Sequence, residues 1–163
     1  MKPALLVIDI QKAYFEPASQ ASLDRAIEYI NEAIKLFRQK GLPVISIQHM
    51  DRGNDHIPGS PGYDLPDSLK IIPGDLHIHK EYGSAFIKTP LENELKKMGV
   101  DTLILTGFCA EYCVLSTYRG AEGYDLTPIL LRDSLASRSD RNIRFVESIS
   151  EVISLGALEK LIS

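Results

Sequence analysis

Both cysteines of the chain, Cys109 and Cys113, lie four residues apart in LILTGFCAEYCVLSTY (residues 103–118), where an apolar run gives way to a helical pattern. A cysteine in the first turn of a helix meets unpaired backbone N–H groups. These, with nearby charges, lower the thiol pKa from its free value of about 8.5. Two more reactive side chains close apolar runs elsewhere: Asp9 follows ALLVI, and Lys80 ends LHIHK. A carboxylate beside Cys113 can take the thiol proton as general base and return it to a leaving amine. An ammonium keeps that carboxylate ionised and offsets the cost of placing it next to a thiolate. Backbone N–H groups of the GFCAEYC turn can serve as an oxyanion hole. Together these parts perform acyl transfer at an amide-like carbon through an acyl-cysteine.

Each residue also has a plainer reading. A cysteine in an apolar helix turn packs as a small buried residue, an aspartate at a strand end closes a turn, and a lysine after a strand is solvated. A redox pair of Cys113 and Cys109 is a second reading, although thiols at i and i+4 of a regular helix meet disulfide geometry poorly. A binding domain without chemistry is a third.

The triad reading depends on where the elements deliver the three residues. ALLVI (4–8) is a continuous apolar run suited to a strand buried on both faces. Leu23, Ala26, Ile27, Ile30, Ile34 and Phe37 follow at helical spacing, with Ser22 to cap the start and Gly41 the end. VISIQH, LHIHK, TLILTGF and LTPILLRD read as further strands, Pro128 removing one ladder donor from the last. Thr89-Pro90-Leu91-Glu92 reads as a capping box that opens a helix ending at Gly99. Val114, Thr117, Tyr118 and Ala121 share one face of the helix after the cysteines. A helix over about 140–150, a short strand VISL and a last helix ALEKLI complete the pattern. Strand–helix alternation predicts one α/β domain over 1–163, a three-layer α/β/α sandwich around a six-stranded, mainly parallel, Rossmann-like sheet. Ligands of such sheets sit beyond the carboxyl ends of the strands, the edge to which Asp9, Lys80 and Cys113 are all delivered. Residues 50–76 break the rhythm with four of the nine prolines and four of the eleven glycines; a loop this long reads as a cover over the site or a subunit contact.

Composition limits the partners. The 163 residues are 44% hydrophobic and 25% charged, with a formal net charge of −4. That balance gives no basic footprint for nucleic acid or an anionic membrane, and no apolar run reaches the roughly 20 residues that span a bilayer. The polar turn early in MKPALLVIDIQ and the two cysteines point to the reducing cytoplasm.

The order of three segments resembles the isochorismatase-like cysteine hydrolases, which include nicotinamidases and carbamoyl-amide hydrolases. LLVIDIQKAYF resembles the family's opening strand with its Asp and, two positions on, Gln11. KEYGSAFIKTPLENEL resembles the lysine segment, and LILTGFCAEYCVLSTYRGAEGY the nucleophile segment. The resemblance implies Asp9 as base, Lys80 as its ionic partner and Cys113 as nucleophile. It also implies a cis peptide between Phe108 and Cys109 and an oxyanion hole from the Cys109 and Cys113 amides. Gln11, Tyr14, Phe15, Tyr82, Phe108 and Tyr112 are available to line a substrate pocket, and the aromatics among them equally to fill core. Nicotinamidases carry Asp-x-His after the second strand for a metal. Here IQHMDRGNDH reverses that order; His49, Asp51 and His56 retain zinc-ligand chemistry, but near a loop such residues also meet solvent or cap turns. True isochorismatases lack the nucleophilic cysteine. The expectation is therefore a homo-oligomeric hydrolase of a small-molecule amide, carbamoyl or ureido compound, without metal or cofactor.

Overall fold

The computed structural model describes residues 1–54 and 56–162. Strand β1 (Pro3–Ile8) and strand β4 (Thr102–Phe108) are buried along their whole length, the reason both read as unbroken apolar runs. Around them lie β2 (Val44–His49), β3 (Leu76–Lys80), β5 (Thr127–Ala136) and β6 (Val152–Ile153). All pair in parallel, in the order β3-β2-β1-β4-β5-β6. The chain winds outward from β1 on one side and then, from β4, outward on the other. The order reverses between β1 and β4, and a crevice opens there at the strands' carboxyl ends.

Alternate residues of β1 serve opposite layers. Leu5 and Val7 pack with helix α1 (Gln20–Gln39) and Leu158 of helix α5 (Leu155–Leu161). Ala4, Leu6 and Ile8 pack with helices α2 (Leu91–Met98), α3 (Leu115–Ala121) and α4 (Asp140–Ser148). The expected three layers are present. None of the described helices is long and apolar enough to cross a membrane.

Local signals held at the helix ends and failed at two starts. Gly41 takes φ +64 after α1, and Leu42 N–H bonds back to Phe37 O at 2.9 Å, the motif an αL glycine makes possible. Ser22, expected to cap α1, lies inside it. Ser19 occupies the cap position with its hydroxyl turned to Tyr14 O, and Ser22 Oγ accepts from Ser137 N–H at 3.1 Å. The capping box at Thr89 is likewise incomplete. Thr89 Oγ1 accepts from Leu91 N–H at 3.3 Å, and Pro90 precedes the first helical residue. Strand β5 runs three residues beyond the expected end, through a register shift and Asp133 at φ +67.

The segment between β2 and β3 is pinned to the sheet edge. Lys12 and Ala13 N–H bond to Asp64 O and Gly62 O, both at 2.9 Å, and Gln48 Nε2 donates to Tyr63 O at 3.0 Å. Tyr63 and Leu69 are buried. This part of the segment is packed and hydrogen-bonded to the chain at the ends of β1 and β2.

Gly107 lets β4 pass close against the end of β1. Its φ of +122 suits glycine alone, and a Cβ there would lie 2.1 Å from Ile8 O of the paired strand. Gly107→Ala is expected to cost at least about 3 kcal/mol, because neither backbone can move without breaking the β1–β4 ladder. Chemical denaturation checks this; a stability loss below about 1 kcal/mol contradicts it.

Candidate active site

Asp9 follows β1 in the left-handed region, at φ +52, which turns its carboxylate over the strand ends. Among residues with a side chain, Asp and Asn tolerate this region best. Lys80 is the last residue of β3. Cys113 sits not in the first α-turn, as expected, but in a π-helical turn, 110–114, that precedes α3. The peptide between Phe108 and Cys109 is cis. Thus one end of the sheet brings together three residues separated by more than a hundred positions.

The Lys80 side chain is fully buried, and its Nζ lies 3.1 Å from Asp9 Oδ2 and 3.2 Å from Cys113 Sγ. It also meets Tyr82 O at 2.9 Å and His49 Nδ1 at 3.0 Å. An ammonium has three donors and no acceptor, so His49 Nδ1 must carry its lone pair toward Lys80. The neutral imidazole therefore carries its proton on Nε2. Burial and then the Lys80 charge hold the His49 pKa below its usual 6.5. Asp9 Oδ1 is buried without a hydrogen-bond partner, and Asp9, His49 and Cys113 each place an atom within 4.8 Å of the others.

Burial drives the carboxyl pKa of Asp9 up, opposed by Lys80. It also drives the Cys113 thiol to about 12, with the Asp9 charge adding to the rise and Lys80 opposing it. The expected lowering of the Cys113 pKa is not found: desolvation and a neighbouring carboxylate outweigh helix amides and ammonium. Burial thus favours the neutral thiol, and a carboxylate oxygen of Asp9 lies within 4.8 Å of the sulfur.

Cys109 differs. Its thiol, also raised to about 12 by burial, faces Ser137 Oγ at 3.8 Å. Ser137 Oγ donates to Glu111 Oε2 at 2.8 Å, and Asn142 Nδ2 to Glu111 Oε1 at 2.8 Å. Glu111 thereby ties the π-helical turn to the chain after β5. The sequence alone does not mark Glu111, Ser137 and Asn142, since isolated polar residues carry no periodic signal.

The expected pocket residues divide. The Tyr14 ring lies tilted against Phe108, with centroids 5.0 Å apart, and against His56 at 5.4 Å; burial and then the Asp9 and Cys113 charges raise its pKa. Arg138 covers the Phe108 ring at 5.2 Å. Phe15 packs half-buried against the α1 layer. Tyr82 and Tyr112 are 43% and 65% exposed, Tyr82 giving Lys80 its carbonyl. Gln11 is fully buried, and its amide is engaged. Oε1 accepts from His49 N–H at 2.8 Å, and Nε2 meets His49 O and Tyr63 O at 3.1 Å and His56 Nε2 at 3.2 Å. It joins strand ends to the covering loop and leaves no group for substrate.

His49, Asp51 and His56 do not converge as ligands. Asp51 uses its carboxylate on Gly53 N–H and the Asn54 side chain, and pairs with His56 through the backbone. Among the described residues, the one trio with ligand spacing is Asp9, His49 and Cys113. The Lys80 ammonium already lies within 3.2 Å of an atom of each. A metal cation there would meet a buried positive charge, so these residues do not fit one.

The chain belongs to the isochorismatase family: the Isochorismatase domain matches residues 3–150. It is 32% identical to the uncharacterized isochorismatase family protein YddQ of Bacillus subtilis, over 84% of this chain and 79% of that one. It is 30% identical to the ureidoacrylate amidohydrolase RutB of Methylobacterium radiotolerans, over 80% of this chain and 65% of that one. An isochorismatase-like hydrolase from Alkaliphilus metalliredigens shares the fold, with a TM-score of 0.88 at 23% identity over the whole of both chains. The protein is an isochorismatase-family hydrolase with the α/β fold of that family.

The charge on Asp9 is one cause of the high Cys113 pKa, so Asp9→Asn should lower it. At pH 8 the thiolate fraction, and with it the rate of Cys113 alkylation by iodoacetamide, is expected to rise roughly tenfold, about one pKa unit. Thiol mass spectrometry across pH reads this; a slower alkylation in the variant contradicts the stated origin of the shift.

Proposed function

We infer that the protein is a metal-independent cysteine hydrolase that cleaves the C–N bond of a small amide, carbamoyl or ureido compound. One observation carries the reading: a buried ammonium lies within 3.2 Å of both a carboxylate and a thiol, each from a different strand end.

Asp9 Oδ1 takes the Cys113 proton, and the freed thiolate attacks the carbonyl carbon of the substrate. Lys80 stays charged throughout. Before transfer its partner is the Asp9 carboxylate; after transfer it is the thiolate, so the ion pair follows the proton without a net change in buried charge. The Cys109 and Cys113 amides of the nucleophile turn stabilise the oxyanion. As the tetrahedral intermediate collapses, the C–N bond breaks and Asp9 returns its proton to the departing nitrogen. Asp9 then deprotonates a water that attacks the acyl-cysteine. The acid is released, and the Cys113 thiolate recovers the proton from Asp9.

The amide class is supported from two sides. Asp9, once it holds the Cys113 proton, is an acid close to the sulfur that can protonate a leaving amine. The relative RutB is named for a ureido substrate, and a ureido group is a carbamoylated amine. Tyr14 and Phe108 form the nearby aromatic wall.

Purified protein is to be incubated with nicotinamide, pyrazinamide, N-carbamoyl amino acids and ureido acids, with released ammonia measured. Turnover is expected for at least one compound. Cys113→Ala and Asp9→Asn should each reduce it at least about a thousandfold with the fold retained. Undiminished ammonia release in folded Cys113→Ala protein overturns the mechanism.

A further inference from the structure

The geometry points to His49 as a positioning residue that disfavours loss of the Cys113 proton to solvent, by occupying one of the three protons of Lys80. The inference rests on the proposed role of Cys113 as nucleophile.

The reasoning is a count. Lys80 Nζ has four acceptors within 3.2 Å, namely Asp9 Oδ2, Tyr82 O, His49 Nδ1 and Cys113 Sγ, and three protons to give. While Cys113 is a thiol, its sulfur needs none, and the other three are satisfied. If the thiol loses its proton to solvent, two anions and two neutral acceptors compete for three protons, and one buried acceptor goes without. If the proton goes to Asp9 Oδ1 instead, the new O–H donates to the sulfur, and Asp9 Oδ2, His49 and Tyr82 O keep the three protons of Lys80. The transfer to Asp9 thus forms the thiolate without an unpaired group, whereas loss to solvent leaves one.

Among the neutral acceptors, Tyr82 O is backbone, so His49 is the side chain whose removal changes the count. Its place is fixed by the sheet. His49 pairs in register with Lys80 across β2 and β3, and Gln11 holds its backbone by bonds to both His49 N–H and His49 O. The charged and titratable groups facing the ring are Lys80 from β3, Asp9 from the end of β1, Asp51 and His56 from the loop after β2, and Cys113 from the turn after β4.

Without the His49 acceptor, three protons meet three acceptors, and the thiolate forms with no group left over. His49→Ala is therefore expected to make Cys113 more reactive, not less. Asn places its carbonyl oxygen near the position of Nδ1, and His49→Asn should restore the wild-type behaviour. The experiment measures iodoacetamide alkylation at pH 7.5 of wild type, His49→Ala and His49→Asn. Each cysteine is followed separately by peptide mass spectrometry, with thermal melting of each protein alongside. Alkylation of Cys113 is expected to be about tenfold faster in His49→Ala, the equivalent of one charged hydrogen bond, and within about threefold of wild type in His49→Asn. Cys109 should stay unmodified. If His49→Ala does not fold, His49→Leu, which fills the ring's volume without an acceptor, takes its place. A rate at or below wild type in the variant lacking an acceptor overturns the inference, as does an Asn variant as fast as the Ala variant. A rise at both cysteines also overturns it, since that reports loosening of the fold. Full substrate turnover in Cys113→Ala would instead remove the hydrolase reading and leave these alkylation rates standing.

Discussion

The constraint on which the site depends is the burial of the Lys80 ammonium. Taking an ammonium and a carboxylate out of water costs several kcal/mol for each ion, and the pair repays it only with good geometry and further hydrogen bonds. Asp9 Oδ2 supplies the opposite charge, and Tyr82 O and His49 Nδ1 supply the bonds. The sheet dictates the rest. Lys80 ends β3, and Asp9 follows β1, two strands away across β2. At about 4.8 Å per strand the two backbones stand roughly 10 Å apart, a gap closed jointly by the lysine stem, the Asp9 side chain and the 3.1 Å contact between them. The stem crosses the end of β2, where His49 stands in register. The imidazole contact is therefore built into the strand order rather than added to the site.

Backbone conformation does comparable work on the other side of the crevice. Parallel pairing sets Ile8 opposite Gly107, and the absence of a Cβ there lets β4 pass close to the end of β1. Asp9, immediately after Ile8, turns through φ +52. The π-helical turn that follows places Cys113 above the same point. Strain at φ > 0 persists only where surrounding structure holds it. Here that structure is the tightest strand pair of the sheet on one side and, on the other, Glu111 bonded through Ser137 and Asn142 to the chain beyond β5.

This division explains what could be read from the chain. The ends of β2, β3 and β4 are legible to the residue: β2 and β4 are apolar runs of strands buried on both faces, and β3 is a short alternating run bounded by polar residues. The convergence of Asp9, Lys80 and Cys113 is legible too, since in a parallel sheet a position in a strand fixes the edge it reaches. The caps at Ser22 and Thr89 are not. A hydroxyl one turn into a helix is chemically the same residue as one at its start, and only the partner, Ser137 for Ser22, decides its use. The pairing of His49 with Lys80 requires the neighbour relation of β2 and β3, and Gln11 looks like a ligand group until its three carbonyl and imidazole contacts across 38 to 52 positions are in place. The direction of the Cys113 pKa was misjudged for a related reason. Helix amides can be inferred locally, but the burial that outweighs them comes from distant chain.

The raised thiol pKa decides how the proposed chemistry runs. A nucleophile held as thiolate at rest needs only a substrate; one whose thiol lies near 12 needs a base whose own affinity for protons has risen as well. Burial acts on both partners in the same direction, raising Asp9 and Cys113 together. It penalises the charge on either atom, and Lys80, within 3.2 Å of both, compensates whichever carries it. Proton exchange between them is thus nearer to balance than their separate values in water imply, because the anion moves only between two positions that face the same cation. In the proposed mechanism the bond formed by sulfur tips the exchange, since a carbon bound to Sγ takes up the charge that the buried thiolate cannot disperse. There, the same burial that raises the thiol pKa leaves the sulfur responsive to an electrophilic carbonyl placed against it.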